Sequence, residues 1–100
     1  MSNNLTFNEV KAKYLGLLQQ YVPVVARVHG DSHPEFHDVH KVFNSLTSKI
    51  SKTESDKAEL DGEFNELRKI TDNYEIPNDV CETYEAVYNM LSELDKAYYA

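Results

Sequence analysis

One hundred residues with a formal net charge of −7, 41% of them hydrophobic and 27% charged, suit one small soluble domain. That acidity argues against a nucleic-acid partner, whose phosphates would repel the surface. No apolar run approaches the ~20 residues of a membrane span, so no membrane role is expected.

The only cysteine, Cys81, excludes an internal disulfide and suits a reducing cytoplasm. The opening MSNNLT lacks the basic and apolar regions of a signal peptide. Three glycines and three prolines leave long stretches unpunctuated, which favours helix over sheet.

The first element is a helix over about 7–28. Phe7, Val10, Tyr14, Leu17, Tyr21, Val24 and Val28 recur at steps of three and four, and this is its expected core stripe. Thr6-Phe7-Asn8-Glu9 has the form of a capping box, which starts the helix at Phe7. Pro23 removes one backbone bond and is expected to bend the helix near Gln19. Gly30 ends it, as the residue best able to take a left-handed C′ conformation.

A second box follows in Ser32-His33-Pro34-Glu35, opening a helix over 33–51 with the stripe Phe36, Val39, Phe43, Leu46 and Ile50. Leu60, Phe64, Leu67, Ile70 and Tyr74 mark a third helix over 55–74, which the run NYEIPND, 73–79, interrupts. Val80, Tyr84, Val87, Leu91, Leu94 and Tyr98 form the fourth stripe, on a helix over 78–98. Short connections favour antiparallel neighbours, so the expected fold is all-α, a single antiparallel up-down-up-down four-helix bundle. One joint has two readings. The heptad phase survives through SKTESDKAE, 51–59, so a continuous helix from 33 to 73 would imply a chain-exchanged dimer. A turn near 51–55 is favoured, because the polar run there buries nothing.

All four histidines lie between 29 and 40. His33, His37 and His40 share one helical face, a flank on which His40 borders the core and His37 points further out. Histidines one turn apart can converge on zinc or copper, but a site needs third and fourth ligands, from Asp31, Glu35 or another helix. The bland reading is solvated or partly buried structural histidines. Most of the tyrosines and phenylalanines lie on the stripes and suit core packing; Tyr98 and Tyr99 are candidates for an exposed aromatic contact. The acids from Glu54 to Glu66 read as a solvated helix face. No catalytic triad, Gly-rich phosphate loop or isolated carboxylate pair is legible.

The runs VARVHGDSHPEFHDVHKVFNSL and GEFNELRKITDNYEIPNDVCETYEAVYNMLSELDK resemble Ric proteins, the iron-sulfur cluster repair di-iron family with a hemerythrin-like bundle. The letters that carry the resemblance include Leu67, Arg68, Thr71, Asn73, Tyr74, Pro77, Cys81, Thr83, Tyr84, Tyr88, Leu91, Glu93 and Leu94. It spans almost the whole chain and implies a hemerythrin-like topology shortened between the second and third helices. It also implies two irons held by histidines and carboxylates. Carried over position by position, those ligands are mostly missing. The first-helix histidine falls near Phe7 or Asn8, the second-helix His and Glu on Thr53 and Lys57, and the third-helix histidine on Leu60. The last ligand pair falls past Ala100, and His29 alone is retained.

The leading expectation is therefore a Ric-like bundle without a di-iron site and with no cofactor. It would be a non-catalytic interaction module that binds a protein partner or itself as a homodimer, within iron-sulfur or redox homeostasis. The alternative is a metal or haem binder using His29, His33, His37 and His40, with iron or zinc as the ion. A third reading is a repair protein completed by ligands from a partner chain.

Overall fold

The computed structural model describes residues 7–52 and 59–99. Four helices form there, with no strand among the described residues: α1 (Phe7–His29), α2 (Glu35–Lys52), α3 (Asp61–Thr71) and α4 (Glu82–Tyr99). Thr6 of the first capping box lies outside the described residues, as do Glu54 and Asp56 of the acidic face. The turn expected near 51–55 is described only at Ser51 and Lys52, which are still helical. Glu59 and Leu60 are not helical, and Leu60 has φ −115° and ψ 10°. The single helix from 33 to 73 is therefore not formed.

α1 packs chiefly on α4 and α2 on α3, with α1 and α2 also in contact. Side chains join α3 to α4: the Phe64 and Tyr98 rings lie 5.2 Å apart, and Arg68 Nε is 2.8 Å from Asp95 Oδ2. Phe36, Val39, Phe43 and Leu46 of α2, Leu60, and Phe64 and Leu67 of α3 are buried, as their period requires. So are Tyr84, Val87, Leu91, Leu94 and Tyr98 of α4.

α1 departs from expectation. Phe7 and Val10 are buried, but beyond them the core takes Leu18, Val22, Val25 and Ala26. Leu17, Val24 and Val28 of the expected stripe are 41%, 39% and 62% exposed. The reason is that the helix is apolar on two sides. Leu15, Leu18, Val22 and Val25 run beside Leu17, Tyr21, Val24 and Val28, so period alone cannot choose between them. Contact with α4 and α2 decides.

Gly30 is also placed for a different reason. No glycine has positive φ among the described residues, so Gly30 does not act as a left-handed cap. Gly30 is buried, and a Cβ there would collide with the Ala26 carbonyl oxygen and the His37 ring. Close approach, not handedness, demands glycine. The chain then turns at once into α2 through bonds from the N–H groups of His33, Phe36 and His37 to the carbonyls of His29, His33 and Pro34, at 2.7, 2.9 and 3.1 Å. α2 begins at Glu35, two residues after the expected start.

α3 stops at Thr71, short of the expected 74. The Thr71 hydroxyl donates to the Leu67 carbonyl at 2.7 Å and accepts the Tyr74 N–H at 2.7 Å. Asp72, Asn73 and Tyr74 then take φ of 54°, 62° and 65°. Left-handed backbone costs roughly 1–2 kcal/mol per residue, and bonds from Asn73 N–H to the Arg68 carbonyl and Glu75 N–H to the Thr71 carbonyl help to offset it. Pro77 lies in the connection, and α4 begins at Glu82 instead of 78.

Candidate functional site

Three segments meet at one end of the molecule: the last turn of α1, the first turn of α2 and the residues leading into α4. His29 Nε2 lies 3.2 Å from the thiol of Cys81, which is exposed. One turn along the chain, His33 is held at both ring nitrogens, with Nδ1 3.0 Å from Glu35 Oε2 and Nε2 3.0 Å from Asp79 Oδ1. Two carboxylate acceptors require two N–H donors, so the ring is favoured as imidazolium. Burial works against that charge, but the bonds the ring donates to Glu35 and Asp79 and their negative charges outweigh it, and the His33 pKa is raised.

Tyr84 forms the floor. The His29 and His33 rings meet it edge-on at centroid distances of 5.4 and 5.5 Å. Phe36 lies 5.1 Å away and Tyr88 4.8 Å. The Tyr84 and Tyr88 hydroxyls are 3.0 Å apart and satisfy each other inside the bundle. Burial pushes both phenols above their ordinary pKa, so neither is a ready proton donor or anionic ligand near neutrality. Beside this end lies a cleft of about 400 Å³ lined by Glu35, Tyr88, Ile70, Asp72, Glu75 and Pro77 among others.

The four histidines of the expected cluster do not act as one set. His29 faces Cys81, His33 spends both nitrogens on carboxylates, exposed His37 lies against Gly30, and His40 is half-buried. Among the described residues no group of three or more His, Cys, Asp or Glu side chains is arranged to hold a metal ion. Of the positions to which the resemblance assigns iron ligands, Asn8 keeps a buried Oδ1 without a hydrogen-bond partner among the described residues, whereas Phe7 and Leu60 are hydrocarbon. Phe7 packs edge-on against Tyr98 at 5.5 Å, and Leu60 is fully buried. Neither has a donor atom in its side chain. Thr53 and Lys57 lie outside the described residues.

The aromatic contact expected of Tyr98 is corrected. Its ring is buried, and its hydroxyl accepts the Leu60 N–H at 2.9 Å. Tyr99 is 48% exposed and carries the Arg68 guanidinium over its face at 5.0 Å.

Two groupings had no reading in the sequence. Cys81 and Asp79 pair with histidines about fifty positions away, a separation that no local pattern spans. Arg68 grips Asp95 with a fork, Nε to Oδ2 at 2.8 Å and Nη2 to Oδ1 at 3.2 Å, while the Tyr74 hydroxyl donates to Oδ2 at 2.7 Å. This second grouping had a faint signal: Asp95 continues the line Tyr84, Tyr88, Leu91, and a charge on an apolar line calls for a partner. The chain matches no family model, no curated protein and no solved structure.

Proposed function

We propose that this chain is a non-catalytic interaction module: a hemerythrin-like, antiparallel up-down-up-down bundle related to Ric proteins but without their di-iron site. The observation that carries the reading is Leu60. Where the resemblance asks for a histidine ligand, the residue is fully buried, and its backbone N–H is bonded to Tyr98. Grease occupies the place of a ligand, and packing replaces metal as the source of cohesion. The antiparallel order is supported by rings at opposite ends of α1 and α4: Phe7 meets Tyr98, and His29 meets Tyr84.

The residues that carry the resemblance have structural work to do here. Arg68, Thr71, Asn73 and Tyr74 build the left-handed connection after α3, and Tyr84 and Tyr88 fill the interior. On the resemblance, the module belongs to iron-sulfur or redox homeostasis in the cytoplasm, where a single exposed thiol remains reduced. It works by binding protein, not by chemistry of its own. The competing histidine metal site is represented by His29, whose Nε2 lies 3.2 Å from the exposed Cys81 thiol. Iron analysis of protein purified from iron-rich culture tests the proposal. The expected result is no stoichiometric metal, and two irons per chain would reject it.

A further inference from the structure

The C-terminal half of the first apolar stripe, beyond the buried Phe7 and Val10, lies largely outside the core of the bundle. From Leu17 on, α1 presents Leu17, Tyr21, Val24 and Val28 at steps of four, three and four, the spacing of a coiled-coil seam. Leu17, Val24 and Val28 are exposed and Tyr21 is half-buried. The other side of the same helix already supplies Leu18, Val22 and Val25 to the core. A helix apolar on both sides is normally covered on both.

We infer that this seam is the interface of a homodimer, in which α1 packs antiparallel on α1 of a second copy. The inference rests on the interaction-module reading and supplies its partner. Steps of four, three and four read the same in both directions. A twofold axis beside Val22 and Pro23 therefore sets Leu17 of each copy against Val28 of the other, and Tyr21 against Val24. Residue i meets j while j meets i, as an isologous interface requires.

Charge selects the same arrangement. Exposed Lys13 lies at one end of the seam and exposed Asp31 just beyond the other. The antiparallel pairing brings each Lys13 within a turn of Asp31 of the other copy and sets Gln20 near Arg27. A parallel pairing would put Lys13 beside Lys13. α1 is also a cationic helix in an acidic chain, with Lys11, Lys13 and Arg27 against Glu9. Meeting there keeps the acids of α2, α3 and α4 out of the contact, but it sets two net-positive helices face to face, so the apolar seam and the Lys13–Asp31 approach must carry the pairing.

Light scattering on the full chain over a wide concentration range, with iron measured on the same samples, tests the dimer. The expected mass rises to twice the 11.5 kDa of one chain. Val24→Glu returns it to the single-chain mass with an unchanged helical circular-dichroism spectrum. Lys13→Glu weakens the dimer, and Lys13→Glu combined with Asp31→Lys restores it without touching the apolar seam. A single-chain mass at every concentration overturns the inference, as does a dimer indifferent to both Val24→Glu and Lys13→Glu. A metal-free monomer removes only the dimer, whereas paired iron in the sample removes the interaction-module reading itself.

Discussion

Asp95→Asn isolates the contact that ties α3, the left-handed connection and α4 together. Asp95 is 10% exposed in its side chain and accepts three hydrogen bonds, two from Arg68 and one from Tyr74. The carboxylate raises the Arg68 pKa through its hydrogen bonds, and the Tyr74 phenol is pushed up first by burial and then by its bond to Asp95. Breaking a fully buried pair costs roughly 3–5 kcal/mol. The Arg68 side chain is 33% exposed and regains water when its partner is lost, so about 2–3 kcal/mol is the reasonable loss after that discount. A domain of this size has about 5–15 kcal/mol in all, and each kcal/mol moves its melting point by roughly 4–8 °C.

Urea unfolding of the wild type, Asp95→Asn, Tyr74→Phe and the double variant measures the coupling. Tyr74→Phe alone removes one bond to a charged acceptor, about 1.5–3 kcal/mol. Because both variants act on one bond, Asp95→Asn by leaving Tyr74 a neutral acceptor and Tyr74→Phe by removing the donor, the double variant should lose less than the sum by more than about 0.5 kcal/mol. Additive losses, or a cost for Asp95→Asn below about 0.5 kcal/mol, would refute the claim that this network holds the connection in place.

The two faces of α1 are told apart by neighbouring truncations: Leu18→Ala should cost about 2–5 kcal/mol in urea unfolding, as for other buried leucines, and Leu17→Ala under about 1 kcal/mol in the monomer; equal costs would mean that the helix is rotated from the position described. His33 makes stability depend on pH. Its pKa in the folded protein is raised above the ordinary imidazole value of 6.5, so its contribution is complete below that value and is lost as pH rises through the folded pKa. The wild type should therefore lose melting temperature relative to His33→Ala on the alkaline side of pH 6.5; parallel curves would show that the Glu35–His33–Asp79 clasp contributes nothing.

The sequence by itself determined the helices and most of their inward faces. On α2, α3 and α4 a single apolar stripe lies between polar residues, so the 3.6-residue period had one solution, and Phe36, Phe64 and Tyr84 are buried where it put them. It also determined the absence of ligand chemistry at Leu60, since a hydrocarbon side chain offers no lone pair in any fold. Only the tertiary structure decided which side of α1 faces inward. Both of its sides satisfy the period, and the free energy of burial depends on which neighbours close over them. The same holds for the histidines. Their spacing along one helix suggested a common ion, but the partners that claim them, Cys81 for His29 and Asp79 for His33, come from the chain before α4. Gly30 shows the principle in small. Its need for a missing side chain was legible, but part of the cause, the His37 ring pressed against it, exists only once α2 has folded back beside α1.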